Sequence, residues 1–202
     1  MNPPVIVLAT GNQGKLREFQ DHLQGIDCQL RLKPEGLEVE ETGTTFRENA
    51  EIKAAQIAQA TGHWAIADDS GLAVDALGGR PGVYSARYGA TDPDRIEKLL
   101  KELGNQPVRS AQFICAVALA RPDGTIALVA EGICPGSITS SPMGDNGFGY
   151  DPIFYVPSQG QTFAQMTPAV KRSLSHRGQA FKKLIPQLVQ MIQAGQLGSA
   201  PN

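Results

Sequence analysis

The feature that most constrains the fold is a short apolar run near the start of the chain, Val5 to Ala9. The run is continuous, begins with β-branched residues and ends at turn formers, which is typical of a fully buried strand. Apolar residues then recur at helical spacing through Leu16, Phe19 and Leu23, between polar neighbours. A strand, a polar turn and a helix in this order predict an α/β fold.

The turn between that strand and helix, Thr10 to Lys15, carries two glycines and ends on a lysine. Glycines let backbone N–H groups approach an anion, a helix N-terminus favours negative charge, and lysine adds a positive charge. The segment is not a Walker A loop, because its glycine spacing is short and Leu16 stands where Ser or Thr would be. It is either a phosphate-binding turn or a plain connection with a surface lysine, and both interpretations stay open.

A second constraint is the adjacent pair Asp68 and Asp69. Trp64 to Ala67 predicts a buried strand, which places the two carboxylates at its carboxyl end, where we expect the chain to turn. Open α/β sheets bind ligands at that edge. Adjacent carboxylates repel each other unless a proton or a cation such as Mg²⁺ is close. The alternative is a solvated turn, because Asp, Ser and Gly all favour turns.

A helix with a defined start is predicted ahead of this strand. Thr44 or Thr45 is the expected N-cap, and Glu48 occupies the capping-box position for Thr45. Glu40 and Glu41 lie on the loop before the helix. They are either solvated loop residues or further oxygen ligands for the metal that the two aspartates invite.

The middle of the chain predicts further strands and one helix. Leu72 to Val74 is a short apolar run typical of a separate strand. A helix follows that starts at Asp92 or Asp94 and runs through Leu103. Ala111 to Ala120 and Thr125 to Cys134 are predicted as paired strands, because the Asp-Gly pair between them is a strong hairpin signal.

Glycines alternate with aromatic residues between Gly144 and Pro152. This glycine density predicts a tight loop that carries Phe148 and Tyr150. An exposed aromatic ring on such a loop can stack on a nucleobase. The alternative is that both rings fold back into the core.

Positive charge is concentrated near the end of the chain, where Thr167-Pro168 starts one helix and Ser175 can cap the last one. The basic residues here are Lys171, Arg172, His176, Arg177, Lys182 and Lys183. A Ser-His-Arg sequence at a helix start places hydrogen-bond donors at the positive end of the helix dipole.

The totals exclude several classes of protein. The chain has 202 residues and a formal net charge of −2, which fits one domain, or one domain with a small lobe, over residues 1–194 and a disordered tail over 195–202. Near-neutral charge argues against nucleic-acid binding, and no apolar run approaches the ~20 residues of a membrane span. Three scattered cysteines favour reduced thiols. We therefore expect a soluble cytoplasmic protein with no membrane or nucleic-acid partner.

Seven short motifs occur in order along the chain. They are Thr10-Gly11-Asn12-x-Gly14-Lys15, Glu40-Glu41-Thr42-Gly43, Phe46-x-Glu48-Asn49-Ala50, Ala67-Asp68-Asp69-Ser70-Gly71-Leu72, Pro81-Gly82-Val83-Tyr84-Ser85-Ala86-Arg87, Gly147-Phe148-Gly149-Tyr150-Asp151-Pro152 and Ser175-His176-Arg177-Gly178. Each motif is modest alone. Together they make the sequence from Val5 to about Leu188 strongly resemble the HAM1/RdgB inosine triphosphate pyrophosphatase family.

The resemblance implies an enzyme that hydrolyses aberrant purine nucleoside triphosphates (ITP, dITP, XTP) to the monophosphate and pyrophosphate. It implies Mg²⁺ as cofactor and a homodimer as the assembly. The implied fold is an elongated mixed α/β sheet flanked by helices, with two lobes and a central active-site cleft.

The resemblance also implies roles for individual residues. It makes Asp69 the proton acceptor and a metal ligand, a choice that spacing alone leaves open between Asp68 and Asp69, and it makes Glu40 or Glu41 the further metal carboxylate. The implied substrate-binding residues are Thr10, Gly11, Asn12, Gln13, Gly14, Lys15, Ser70, Phe148, Gly149, Tyr150, Asp151, Lys171, His176 and Arg177. Those from Thr10 to Lys15 hold the triphosphate, and those from Phe148 onward surround the nucleoside and base.

Two other functions stay open from the sequence. One is a phosphatase or pyrophosphatase that acts on a different nucleotide, and release of orthophosphate from ITP would favour it. The other is a non-catalytic nucleotide-binding module, which would bind ITP without turnover that depends on Mg²⁺.

Overall fold

The computed structural model describes residues 3–197. The strands are β1 (Val5–Leu8), β2 (Gln29–Leu32), β3 (Trp64–Val74), β4 (Ser110–Ala120), β5 (Ile126–Ile138), β6 (Phe154–Val156) and β7 (Gln161–Thr162). The α-helices are α1 (Gln13–Leu23), α2 (Phe46–Thr61), α3 (Asp92–Leu103), α4 (Pro168–Leu174) and α5 (His176–Gln193). The strands form one sheet in the order β2-β1-β3-β4-β5-β6-β7.

The sheet is mixed, which confirms the predicted fold class. Strand β1 pairs in parallel with β2 and β3, whereas β6 pairs antiparallel with β5 and β7. In the β1–β3 register, Leu8 lies opposite Ile66. The chain after β1 and the chain after Ile66 therefore both lie beyond the carboxyl end of β1.

Strand β3 corrects one prediction. It runs without interruption from Trp64 to Val74, so Asp68 and Asp69 lie inside a strand, and the expected turn and separate strand at Leu72 to Val74 are wrong. Asp68 and Asp69 are only 1% and 6% exposed. Their carboxylates have charged or amide partners, described below, and these contacts override the turn preference of Asp, Ser and Gly.

The described chain divides into two compact units. The first contains the chain up to Asp69, Cys115–Glu131 and the chain from Ala180 onward. The second contains Ser70–Ile114 and Gly132–Gln179. The prediction that residues 1–194 form a single two-lobed domain stays a prediction.

In the first unit, alternate residues of β1 enter different hydrophobic clusters. Ile6 and Leu8 pack with residues of α1 and α5. Val7 packs with alanines of α2, among them Ala54. A strand alternates its side chains between the two faces of a sheet, so β1 is buried on both faces, as its continuous apolar run predicted.

In the second unit, α3 packs on a core rich in phenylalanine. Leu99 of α3 shares this core with Leu72, Phe113, Phe154 and Phe163. Thr91 caps α3 and forms a capping box with Asp94, and such a cap stabilises a helix by about 1 kcal/mol.

Several local predictions are confirmed. Thr45 caps α2 in a capping box with Glu48. The loop between β4 and β5 closes through the hydrogen bond that Gly124 N–H donates to the Arg121 carbonyl over 2.8 Å. The cysteines of the described chain are free thiols, as expected.

The predicted disordered tail over residues 195–202 stays a prediction. Leu197 is 3% exposed and packs in a hydrophobic cluster of the first unit. Residues 198–202 lie outside the described residues.

Among residues 3–197, no helix is both long and apolar enough to cross a membrane.

Candidate active site

The turn after β1 is shorter than the sequence predicted, because α1 begins at Gln13. Asn12 is the helix cap, and its Oδ1 accepts a hydrogen bond from the Lys15 backbone N–H over 3.0 Å. Thr10 Oγ1 accepts the Asn12 N–H over 3.2 Å. A methyl group built at Gly11 would meet no atom within 4 Å. The chain beside Gly11 therefore has open space, which a ligand approaching the helix N-terminus requires.

Lys15 reaches back from α1 to the strand. Its Nζ lies 3.1 Å from Asp68 Oδ2, and the carboxylate is almost fully buried. The thiol of Cys115 lies 3.9 Å from the same carboxylate oxygen. Asp68 thus fixes the position of the lysine to which the family resemblance assigns phosphate binding.

Asp69 points to the opposite face of the strand and meets α2. Asn49 Nδ2 donates to Asp69 Oδ2 over 3.2 Å, and Lys53 Nζ lies 3.4 Å from Asp69 Oδ1. The Gly43 backbone N–H donates to Asn49 Oδ1 over 2.8 Å, which fixes the orientation of the amide. Because neighbouring strand residues face opposite ways, the two carboxylates have separate partners.

Lys53 is a functional candidate that the sequence reasoning missed. Its Nζ contacts Glu41 Oε1 at 2.6 Å as well as Asp69, so one ammonium joins two carboxylates. Glu40, the other candidate carboxylate on this loop, is exposed. The sequence carried only part of the signal: Lys53 follows Asn49 by four residues and therefore shares its helix face, but the strand that it meets is distant in the chain.

Burial shifts the pKa values of this cluster. It raises the pKa of Asp69, and the charges of Lys53 and Lys15 only partly oppose that effect. Burial lowers the pKa of Lys53, but the charges of Asp69, Asp68 and Glu41 outweigh it, so its pKa lies above the ordinary value. At neutral pH the lysine is charged and the aspartate is a stronger base than usual.

The acidic residues do not form an all-protein metal cage. No group of three His, Cys, Asp or Glu side chains able to hold a metal occurs in residues 3–197. Mg²⁺ typically takes one or two protein carboxylates and completes its coordination with water and substrate phosphates. Glu41 and Asp69, which share the Lys53 ammonium, fit that requirement as a pair.

In the second unit, the glycine loop and α4 form another charged cluster. Lys171 Nζ bonds Asp151 Oδ2 over 2.6 Å, and both side chains are nearly buried. The same Asp151 oxygen accepts the Phe148 N–H over 2.9 Å. Lys171 Nζ also lies 4.7 Å from the centroid of the Phe148 ring.

The two aromatic residues of this loop take different positions. Tyr150 is 4% exposed, and its hydroxyl donates to the Ser85 carbonyl over 3.0 Å. Phe148 is only half-buried. The Tyr150 ring therefore lies in the core, which was the alternative prediction. The Phe148 ring keeps the partial exposure that stacking on a base requires.

The Ser-His-Arg segment begins α5 as predicted, with Ser175 Oγ accepting the Gly178 N–H over 3.1 Å. The His176 ring stacks on Phe113 with centroids 4.6 Å apart. Arg177 is 1% exposed, and its Nη2 donates to Ser70 Oγ over 2.8 Å. The predicted contact residues His176 and Arg177 thus occupy buried positions, whereas Ser70 is partly exposed.

The structure groups the predicted site residues in two sets. The first unit contains Thr10, Gly11, Asn12, Gln13, Gly14, Lys15, Glu40, Glu41 and Asp69. The second unit contains Ser70, Phe148, Gly149, Tyr150, Asp151, Lys171, His176 and Arg177. Their roles toward a substrate stay predictions.

The fold and the first cluster define a mixed α/β protein with a buried acid–lysine centre, an arrangement suited to hydrolysis. The model of the Ham1 family matches residues 6–187. A dITP/XTP pyrophosphatase from Nostoc sp. is 62% identical, over 93% of this chain and 96% of its own. One from Synechocystis sp. is 61% identical, over 91% of this chain and 95% of its own.

Solved structures agree with these sequence comparisons. A HAM1 protein from Coxiella burnetii superposes with a TM-score of 0.85 at 44% identity, covering 93% of this chain and 99% of its own. The Staphylococcus aureus Ham1 protein gives a TM-score of 0.81 at 43% identity, covering 94% and 98%. The chain belongs to the Ham1 family.

Proposed function

We propose that this protein is a pyrophosphatase that converts dITP, ITP and XTP to the corresponding monophosphates and pyrophosphate, and so removes them from the nucleotide pool. The names of its relatives support the substrate class. The observation that carries the chemistry is the carboxylate of Asp69, which is buried and held in place by Asn49 and Lys53.

In this proposal Asp69 is the general base. A water molecule attacks the α phosphorus, its proton passes to the Asp69 carboxylate, and the bond from the α phosphorus to the bridging oxygen breaks to release pyrophosphate. The raised pKa of Asp69 brings the base closer to neutral pH, where general-base catalysis is most effective. Such a base typically contributes about 10² to 10⁴ in rate.

Glu41 and Asp69 are the carboxylates that would hold Mg²⁺, with Lys53 fixing their separation. When bound, Mg²⁺ neutralises negative charge that develops on the phosphate oxygens. Lys15 and the N-terminus of α1 bind the triphosphate in this scheme, because both are positive and the chain at Gly11, just before the helix, has open space.

Residues of the second unit contact the nucleoside. Phe148 offers a half-exposed ring for the purine to stack on. His176 and Arg177 are the donors proposed for the 6-oxo group of hypoxanthine or xanthine. Adenine carries an amino group at that position, so donors would face donors, and a buried mismatch of this kind is strongly rejected.

One assay tests the function. ITP, XTP, GTP and ATP are incubated with the protein, with and without Mg²⁺, and the phosphate product is identified by chromatography. We expect pyrophosphate and monophosphate from ITP and XTP, and no turnover without Mg²⁺. Orthophosphate as the first product would instead favour a phosphatase, and tight ITP binding without turnover would favour a binding module.

The assembly and location rest on the family and on composition. We propose a homodimer in the cytoplasm with no nucleic-acid or membrane partner, supported by the resemblance and by the net charge of −2. Sedimentation equilibrium at assay concentrations tests the dimer, and a monomer under those conditions would refute it.

A further inference from the structure

The glycine loop from Gly147 to Asp151 is held by carboxylates. Asp151 Oδ2 accepts the Phe148 N–H from within the loop. The next amide, that of Gly149, donates to Asp92 Oδ2 over 2.7 Å, and Asp92 belongs to α3. Two successive backbone donors are therefore occupied by side-chain oxygens, only one of which comes from the loop itself.

The side-chain direction at Gly149 is open. A methyl group built at Gly149 would meet no atom within 4 Å, and the residue has a φ of +62°. Gly147 also has a positive φ, of +81°. Glycine segments lose much conformational entropy when they are ordered. A charge-assisted hydrogen bond at Gly149 is a contact able to offset that cost.

Asp92 is itself held in a fixed geometry. It is the first residue of α3, and Arg95 Nη1 contacts its other oxygen, Oδ1, at 2.6 Å. Arg95 Nε donates in turn to the Gly89 carbonyl over 3.1 Å. One carboxylate thus connects α3, through Arg95 on one side, to the Gly149 amide on the other.

We propose that Asp92 is a positioning residue for purine recognition, which fixes the loop backbone so that the Phe148 ring is presented to the base. This inference rests on the proposed function, because it assigns the base to Phe148. Asp92 does not touch the substrate in this scheme. By ordering the loop in advance, Asp92 reduces the conformational entropy that is lost when the nucleotide binds.

The proposal predicts an effect limited to the base. Removing the Asp92 carboxylate frees the loop and lowers the affinity for every ligand that carries a purine. It leaves the affinity for inorganic tripolyphosphate unchanged, because that ligand has no base to stack on Phe148. A general loss of folding would lower the affinity for purine nucleotides and for tripolyphosphate equally.

The test compares Asp92→Ala with a matched control, Asp94→Ala. Both remove a carboxylate from the first turn of α3, but Asp94 caps the helix through Thr91 and does not bond the loop. We expect Asp92→Ala to raise KM for ITP about tenfold. The expected change in kcat is less than about twofold, since the base at Asp69 is untouched.

Further measurements complete the test. Asp92→Asn keeps an oxygen able to accept the Gly149 amide, so KM should return to within about threefold of wild type. Inhibition by tripolyphosphate should be the same in all variants. Amide hydrogen exchange should show Gly149 losing protection in Asp92→Ala but not in Asp94→Ala.

Several results would overturn the inference. One is an equal rise in KM in both alanine variants; another is an asparagine variant as impaired as Asp92→Ala. A parallel loss of tripolyphosphate inhibition would also show that the loop is not the target. Failure of the wild-type protein to release pyrophosphate from ITP would instead overturn the proposed function, and the base-binding role with it.

Discussion

Replacing Lys53 by methionine should destabilise the protein far more than an ordinary loss of an ion pair. Methionine keeps the length and helix propensity of the lysine stem but removes the charge. The charge lies 2.6 Å from Glu41 and 3.4 Å from Asp69, and the lysine and aspartate side chains are only 13% and 9% exposed. Two carboxylates would then lie in a largely buried site without the ammonium that joins them.

The expected magnitude follows from that geometry. At an effective dielectric constant of about 20, charges 3.4 Å apart attract by about 5 kcal/mol before desolvation is subtracted. Breaking a buried pair by removing one partner costs about 3–5 kcal/mol. Because Glu41 is 23% exposed and partly screened by water, we expect the free energy of unfolding to fall by about 2–3 kcal/mol.

Arg47→Met provides the matched control. Arg47 lies on the same helix and pairs with Glu51 at 2.8 Å, but it is 58% exposed. Exposed pairs at this spacing contribute little to stability. Urea unfolding at pH 7, extrapolated to water, measures both variants. A difference between them below about 1 kcal/mol would refute the claim that Lys53 neutralises a buried acidic pair.

The same variant has a signature in the pH dependence of activity. Lys53 lowers the pKa of Asp69 by its charge, against burial, which raises it. Without the lysine, the pKa of Asp69 should rise further, because burial would no longer be opposed by that charge. A general base works only when ionised, so the acid limb of kcat/KM should move to higher pH. An unmoved acid limb would show that Asp69 is not the base or does not interact with Lys53.

Three further substitutions test the assigned roles. Asp69→Asn should lower kcat by about 10² to 10⁴ with little change in ITP affinity; single-turnover kinetics near the wild-type rate would contradict its assignment as base. Lys15→Ala should weaken tripolyphosphate and ITP binding together, measured by calorimetry, and unchanged affinities would remove Lys15 from the phosphate site. Arg177→Ala should narrow the ratio of kcat/KM between ITP and ATP, and an unaltered ratio would place base recognition elsewhere.

The sequence predicted the elements that carry strong local signals. The apolar run of β1, the capping box of Thr45 and Glu48 and the hairpin at Asp123-Gly124 each depend on interactions within a few residues. Such signals survive in the structure because packing does not oppose them. The same holds for the start of α5, where Ser175 caps the helix as predicted.

What the sequence could not predict depends on partners distant in the chain. The Asp-Asp-Ser-Gly segment has the composition of a turn, yet it forms part of β3 because Lys15, Asn49 and Lys53 satisfy its carboxylates. The role of Lys53 was not predicted for the same reason. A single lysine on an alanine-rich helix becomes significant only when the strand opposite it is known.

Because side chains along β3 alternate between its two faces, the neighbouring residues Asp68 and Asp69 lie in different environments. Ile66 and Asp68 belong to the face that packs against α1, while Ala67 and Asp69 belong to the face that packs against α2. A strand repeats every two residues, so inserting one residue before Asp68 would exchange the environments of the two carboxylates. The number of residues in β3 before Asp68 therefore determines the chemistry as much as the two aspartates do. Shortening or lengthening this part of the strand by two residues should be tolerated better than a change by one.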